Sequence, residues 1–489
     1  MDSMIDCSAE DIATYSRLLK ISLEDKPKVK HSLRAGIVIP PSPFVVPNGW
    51  EFVHTAPFEG PSVIAAVLKG LGIEVVILDQ REDFDPLSLA GGPLKNLDIV
   101  CIATYEDSFP YLKKAIEIAK QEEPERPVIL GGPLVTSVPK LIMGNTLADY
   151  AVVGEGELTT IELIDLIMKG KDVMPVDHIR GLAWKDADNK VVLNRRRIQM
   201  TNLDAVPMQD ISLWPRVMKT GSAPEIYMTA GRGCPGHCSF CFRAMPVLHY
   251  KSPARVRKEL LYLKKYKYRF AWWSDLTFID SKKRVHALMN EAFKGMAFRW
   301  CCFTRVDNLD LHTLNLMKEN GCDIVMFGFE SITKEILDYF RKKVSKNDII
   351  KAIELTRASG LKVGGLFIIG GPGETRESLA HVMEFCREFK EVTRVKYMSA
   401  LPGTPLYYDM LKKGIIKDEL KHLYFLAKER AVEDDEIINF TALPEKELRQ
   451  AYRAINSRIE MRPYEYWNPA NHYLNEPVKF KERPVVMAS

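Results

Sequence analysis

Residues 233–241 read GCPGHCSFC. Three of the nine cysteines in the chain, Cys234, Cys238 and Cys241, fall in this stretch at the spacing C-x3-C-x2-C. A disulfide takes two thiols and a structural zinc site takes four ligands, so a trio leaves one position unexplained. What surrounds the loop decides how to read it. EIYMTA (225–230) precedes it as a strand run, and SPARVRKELLYLKKY (252–266) follows it with helical periodicity. Five more strand runs recur downstream: YRFAWWS (268–274), FRWCCFT (298–304), DIVMFGF (323–329), KVGGLFI (362–368) and RVKYMS (394–399). Helical patterns such as SKKRVHALMNEAF (281–293) and DLHTLNLMKENG (310–321) separate them. This alternation predicts a partial parallel (β/α)6 barrel, with the cysteines in the loop after its first strand. Active-site residues of such barrels occupy that end of the strands.

Three chemistries compete for the trio. A disulfide does not suit nine scattered cysteines with no secreted framework, which point to a reducing cytoplasm. Zinc would need a fourth ligand, and His237 and His249 are nearby. His237, however, lies between two of the cysteines and does not turn readily onto the same metal. A [4Fe–4S] cluster on three thiolates keeps one iron open for a substrate to chelate, and the loop's position favours this reading. Cys301 and Cys302 are adjacent on a strand and point to opposite faces, so they cannot share a metal. They read as core thiols, as do Cys322 and Cys386.

Upstream, a second βα rhythm runs from AGIVIP (35–40) through EVVILD (74–79), LDIVCIATY (97–105) and PVILGGP (127–133) to DYAVVGEGE (149–157). Helices such as GPSVIAAVLKGLG (60–72) alternate with these runs and predict a Rossmann-like, doubly wound parallel sheet. Ligands of such sheets bind beyond the carboxyl ends of the strands. Here those ends carry TYEDS (104–108), GGP (131–133) and GEGE (154–157). The plainer reading of the glycines is tight turns. The division expected is a helical lead-in at 1–34, the sheet domain at 35–170, a linker with a hairpin at 171–224, the barrel at 225–430 and an α-rich cap at 431–489. The chain of 489 residues carries a formal net charge of +4, with no long basic run to suggest nucleic acid and no apolar run that would span a membrane. The acidic N-terminus lacks an apolar leader, which again points to the cytoplasm.

CPGHCSFC resembles the signature of the radical S-adenosylmethionine (SAM) superfamily. Further segments resemble that family's barrel. SDLTF (274–278) resembles its second-strand element, with Ser274 in place of a first Asp and Asp275 retained. FGFES (327–331) resembles the fourth-strand element, GGPGET (370–375) the glycine-rich fifth, and PGTPLY (402–407) the turn after the sixth in one branch. The resemblance implies that Cys234, Cys238 and Cys241 hold the cluster. It also implies that Phe240, Asp275, Glu330, Ser331, Gly370 and Gly371 surround SAM, although Glu330 taken alone also reads as a structural ion-pair partner and GGPGET as an ordinary turn.

A doubly wound domain ahead of such a barrel is similar to the cobalamin-binding branch. That branch includes the oxidative cyclase of magnesium-protoporphyrin monomethyl ester and many C-methyltransferases. The corrinoid would rest on Thr104, Ser108, Gly131, Gly132, Pro133 and Gly154 to Glu157 (Glu155, Gly156 and Glu157 included). The D-x-H-x-x-G cobalt-ligand motif is missing, and the one histidine in 35–150 is His54, outside that context. Base-off cobalamin with no His ligand is therefore expected. The resemblance implies a radical C-methyltransferase using methylcobalamin and a 5′-deoxyadenosyl radical, with an external flavodoxin- or ferredoxin-type electron donor. A cobalamin-assisted oxidative cyclase and a non-catalytic corrinoid or metal sensor are the alternatives. No catalytic proton donor can be named. The aromatic, polar segment YEYWNPANHYLNEP (464–477) suits a protein or peptide substrate.

Overall fold

The computed structural model describes residues 9–23, 33–41, 56–81, 89–169, 175–431 and 437–460. Two sheets organise the chain. The first contains β1 (Arg34–Ile39), β2 (Glu74–Asp79), β3 (Ile99–Ala103), β4 (Val128–Gly131), β5 (Tyr150–Val152), β6 (Leu182–Lys185) and β7 (Val191–Leu193), in the order β2-β1-β3-β4-β5-β6-β7. The first five strands pair in parallel. Helices cover both faces, which is why β1 is a continuous apolar run rather than an alternating one. Chain order reverses between β1 and β3, and that reversal opens a ligand crevice at the strand ends.

The hairpin expected between 171 and 224 forms, but it is not free-standing. Its first strand, β6, pairs antiparallel with β5, so the hairpin extends the first sheet. The pairing satisfies backbone groups that a free edge at β5 would leave open. The lead-in helix Ala9–Leu23 packs on helix Gly156–Lys169, where Thr14 Oγ1 donates to Glu162 at 3.0 Å and Arg17 pairs with Asp165.

The second sheet contains β8 (Glu225–Met228), β11 (Phe270–Trp273), β12 (Arg299–Thr304), β13 (Cys322–Glu330), β14 (Lys362–Ile369) and β15 (Val392–Tyr397). All six are parallel neighbours in chain order, the open (β/α)6 arrangement predicted from sequence. Between β8 and β11, the short strands β9 (Gly231–Arg232) and β10 (His249–Tyr250) pair antiparallel and frame the cysteine loop. Alternation sorts the barrel residues. Ile226, Met228, Trp273, Trp300 and Cys302 face the helices, whereas Phe270, Trp272, Cys301 and Ile324 form a separate plug inside the barrel. Cys301 and Cys302 thus lie on opposite faces, and Cys322 and Cys386 are buried in the main core.

The two sheets share continuous apolar cores. The PGTPLY turn contributes to this junction. At Gly403 (φ +79°) a Cβ would lie 2.8 Å from Cβ of Ser137, in a helix that follows β4. Helix Glu445–Glu460 packs on β15, with Tyr452 stacked on Tyr397 at 4.0 Å, while helix Glu419–Ala431 packs on helix Phe109–Glu122 of the first sheet, with Tyr424 edge-on to Phe109 at 5.4 Å. His54 and segment 464–477 lie outside the described residues. Among the described residues no helix is long and apolar enough to cross a membrane.

Below the plug, Glu225 is buried on the inner face. Trp272 Nε1 donates to its Oε2 at 3.4 Å, and its Oε1 has no partner. Burial disfavours the charged carboxylate and pushes its pKa up to about 7. The folded protein therefore holds a proton that the unfolded chain releases above its ordinary carboxylate pKa. That contribution to stability is full below about pH 4.5 and is lost as pH rises through about 7. Glu225→Gln is expected to match the wild type at about pH 3.5, below the ordinary carboxylate range, and to exceed its thermal midpoint at pH 8; equal midpoints at both pH values would refute this assignment.

Candidate functional site

The cysteine loop starts from a residue that only glycine serves well. Gly233 has φ +97°, and a Cβ there would lie 2.1 Å from the Val247 carbonyl oxygen. This close return brings the loop over the barrel mouth. At Gly236 a Cβ would stand 3.3 Å from Cys234 Sγ, 3.9 Å from Cys238 Sγ and 3.6 Å from Arg305 Nη1. Cys234 and Cys238 therefore flank a glycine with a guanidinium beside them.

Their electrostatics describe what the cluster of thiols lacks. Burial, then the neighbouring Cys238 and Cys234, push the Cys241 thiol up to about 12. Burial also raises Cys238, against the lowering effect of Lys342 and Arg305. Thiolates at Cys238 and Cys241 would need a positive centre beside them in so desolvated a place. The iron of a cluster held by Cys234, Cys238 and Cys241 would supply that charge in place of the protons. Among the described residues no three Cys, His, Asp or Glu side chains converge on one ion. A tetrahedral zinc ion would draw its sulfurs to ~3.8 Å of one another. A cluster spreads its thiolates over different irons, so three thiolates can hold it and leave one iron open. His237 does not supply a fourth ligand, because its Nδ1 lies 3.2 Å from Arg243 Nη2 on the exposed side of the loop.

The residues expected around SAM divide into two groups. Phe240, Gly371 and Glu330 gather near the thiols. Phe240 meets Phe340 edge-on at 5.1 Å, and a Cβ at Gly371 would touch the same Phe340 ring at 3.1 Å. Backbone bonds fix this corner: Ser239 N donates to Phe340 O at 3.0 Å, and Leu406 N donates to Ser239 O at 2.8 Å. Glu330 follows a bulge in β13 and has φ +64°, a strained conformation for a side chain with a Cβ. Its Oε1 accepts from Lys342 Nζ at 3.0 Å.

The second group is held in local structure. Asp275 accepts from Ala230 N at 2.9 Å and from Arg284 Nη2 at 3.0 Å, so both oxygens anchor the strand end that leads into the loop. Ser331 Oγ accepts from Thr333 N at 3.1 Å. Gly370 N donates to Glu374 Oε2 at 3.2 Å, which closes the GGPGET turn on itself. Arg305 and Lys342 are the residues that sequence reasoning missed. Arg305 Nη2 donates to the Lys342 carbonyl at 2.8 Å, which joins the two cations beside the thiols. The separation of 37 residues between them carries no sequence signal.

At the first sheet, Gly131 and Gly154 (φ +95°) face open space, with nothing within 4 Å of a Cβ. They lie at the carboxyl ends of β4 and β5, where sheets of this kind bind ligands. Gly132 instead packs on Thr104, whose carbonyl oxygen would be 2.6 Å from a Cβ, and Pro133 starts the short helix Pro133–Ser137. Gly156 packs against Ile64. Thr104 Oγ1 accepts from Val135 N at 3.1 Å, and Ser108 Oγ both accepts from Tyr105 N and donates to Tyr105 O at 2.9 Å. The Ser108 hydroxyl is thus engaged in its own turn.

Glu155 and Glu157 were expected to meet a cofactor; the structure turns both onto the barrel. Arg232 Nη1 donates to Glu155 Oε1 at 2.8 Å and Arg232 Nη2 donates to Glu157 Oε1 at 2.6 Å. A second buried tie runs from the first residue of helix Glu59–Gly70. Glu59 Oε1 accepts from Lys251 Nζ at 2.7 Å and from Thr229 Oγ1 at 3.1 Å, and Lys251 also reaches Glu259 at 2.9 Å. Next to Glu59, Phe58 meets Tyr105 and Tyr227 at 5.6 Å each, and the Arg81 guanidinium lies 4.1 Å from the Phe58 ring. The crevice and the cysteine loop therefore open on the same junction.

Comparison with known proteins agrees with this arrangement. The Radical SAM superfamily model matches residues 228–386, and the B12 binding domain model matches residues 57–164. An uncharacterized methyltransferase of Pyrococcus horikoshii is 31% identical over 318 residues, covering 63% of this chain and 68% of that protein. The hopanoid C-3 methylase of Methylococcus capsulatus is 24% identical over 391 residues, covering 77% and 73%. The anaerobic magnesium-protoporphyrin IX monomethyl ester cyclase of Rubrivivax gelatinosus is 25% identical over 301 residues, covering 60% and 54%. In fold, the chain is similar to TsrM of Kitasatospora setae, a structure with cobalamin and a [4Fe–4S] cluster bound, with a TM-score of 0.63, 16% identity and 79% of each chain covered. With the cysteine trio at the first strand end of the barrel and the strand ends of the first sheet tied to the same loop through Arg232, the chain belongs to the radical SAM superfamily, in the branch that carries a B12-binding domain ahead of the barrel.

Proposed function

We propose that this protein is a radical SAM C-methyltransferase that transfers a methyl group to an unactivated carbon. The observation that carries the reading is the junction itself, where two buried ion-pair groups hold the cysteine loop against the crevice of the first sheet. That a relative is named a methyltransferase and another a C-3 methylase adds support. When bound, the cluster with SAM supplies a 5′-deoxyadenosyl radical and cobalamin supplies a methyl group.

The chain's own residues then have assignable tasks. Cys234, Cys238 and Cys241 hold the cluster, and Arg305 and Lys342 offset the thiolate charge. Lys342 also fixes Glu330 at the SAM side, opposite the wall made by Phe240, Phe340 and Gly371. Gly131 and Gly154 let the corrin ring approach backbone, because a side chain at either position would occupy the open space in front of it. The aromatic plug below the mouth excludes water from the reacting carbon. Residues 35–170 and 225–430 are the two cofactor-bearing units in this reading, and an electron donor of flavodoxin or ferredoxin type serves the cluster. The segment at 464–477 supports a protein or peptide side chain as substrate.

Cys→Ala replacement at all three positions is expected to abolish iron loading and 5′-deoxyadenosine formation; persistence of that product would overturn the cluster assignment. Protein reconstituted anaerobically with iron, sulfide and hydroxocobalamin should show corrinoid absorption bands after desalting. With SAM and titanium(III) citrate it should form both 5′-deoxyadenosine and S-adenosylhomocysteine. 5′-Deoxyadenosine without S-adenosylhomocysteine would instead indicate radical chemistry without methyl transfer, and the absence of both would exclude either enzyme.

A further inference from the structure

We propose that Arg232 is a positioning residue that fixes the distance and angle between the cysteine loop and the corrinoid crevice. The inference rests on the two-cofactor reading above. Arg232 stands two positions ahead of Cys234, and its two terminal nitrogens go to two different carboxylates across the junction. Side-chain exposures are 15% for Arg232, 8% for Glu155 and 4% for Glu157, so all three charges are removed from water. The two carboxylates share this cation, and Glu157 Oε2 has no other partner. Without the guanidinium, two like charges would face each other in a desolvated seam.

Both ends of the tie are stiff. On the barrel side, Arg232 pairs with His249 in the β9–β10 ribbon, and the next residue is Gly233, pinned against the Val247 carbonyl. A displacement of Arg232 therefore reaches Cys234 through one residue with no slack. On the other side, Gly154 N donates to Thr136 Oγ1 at 3.1 Å, within the short helix that begins at Pro133 beside Gly131 and Gly132. Glu155 Oε2 also accepts from Met200 N at 2.6 Å, which prevents the carboxylate from following a displaced partner. The separate Glu59–Lys251–Glu259 tie keeps the two units attached when Arg232 is altered. Loss of Arg232 should thus misalign the cofactors rather than separate the domains. A lysine has one ammonium group and cannot make the forked contact, so it should restore alignment only in part.

The test compares wild type, Arg232→Gln and Arg232→Lys, each reconstituted with cluster and hydroxocobalamin. Electron paramagnetic resonance after dithionite reduction reads the spin–spin coupling between cob(II)alamin and the reduced cluster. The second readout is the ratio of S-adenosylhomocysteine to 5′-deoxyadenosine formed from SAM with titanium(III) citrate. At equal iron and cobalt content, Arg232→Gln is expected to broaden or weaken the coupling and lower the ratio roughly tenfold or more, as misplacement near 1 Å can do. Arg232→Lys should fall between. Unchanged coupling and ratio in Arg232→Gln would overturn the proposal. If Arg232→Gln fails to load either cofactor, Arg232→Lys decides on the same readouts: intermediate values support positioning, and wild-type values refute it. A wild type with no cob(II)alamin signal would instead remove the two-cofactor reading.

Discussion

The seam between the two sheets is held by buried charge. Arg232 with Glu155 and Glu157, and Lys251 with Glu59 and Glu259, take six ionisable groups out of water along one junction. Such groups add little net stability compared with apolar packing, but removing one partner costs about 3–5 kcal/mol because the remainder is left uncompensated. Their value is geometric. Apolar surfaces can slide against one another, whereas a forked guanidinium and its carboxylates admit one arrangement. The aromatic contacts of Phe58 with Tyr105 and Tyr227 add apolar packing across the same junction, from the residue that precedes Glu59. Through this arrangement the cysteine loop and the strand ends of the first sheet are held to one another.

The cysteine loop shows the same principle on a smaller scale. Desolvation and proximity make Cys238 and Cys241 poor acids, and two cations, Arg305 and Lys342, stand beside the loop from β12's end and the segment after β13. Glu330, in a left-handed conformation at a bulge, is fastened to one of those cations. Strain, burial and concentrated charge coincide at one place in the barrel, which is where a site that binds cofactors should carry its costs.

Much of this was legible in the sequence. The six barrel strands, the five parallel strands of the first sheet and the placement of GCPGHCSFC after a strand follow from apolar periodicity and glycine punctuation. The opposite orientations of Cys301 and Cys302 follow from the two-residue repeat of a strand. The reading of GEGE was legible only halfway. Glycine at 154 signalled an open turn, and the structure has one, but two carboxylates beside a cofactor crevice gave no hint that their partner lay 75 and 77 residues away on the barrel. Asp275 likewise matched a motif, while its work as an acceptor for Ala230 N and Arg284 becomes visible only when those groups are brought to it. The hairpin at 182–193 read as a linker because a sequence does not say which edge a strand will pair with.

What the sequence by itself determined is local: which segments are strands and helices, which loop bears three thiols, and which turns require glycine. These depend on side-chain period and backbone freedom within a few residues. Only the tertiary structure decided which charges meet. The pairing of Arg232 with Glu155 and Glu157, of Lys251 with Glu59, and of Lys342 with Glu330 depends on how two sheets pack and on which polar groups that packing desolvates. Coulombic attraction between buried groups is indifferent to their separation along the chain, so no spacing in the sequence could have announced it.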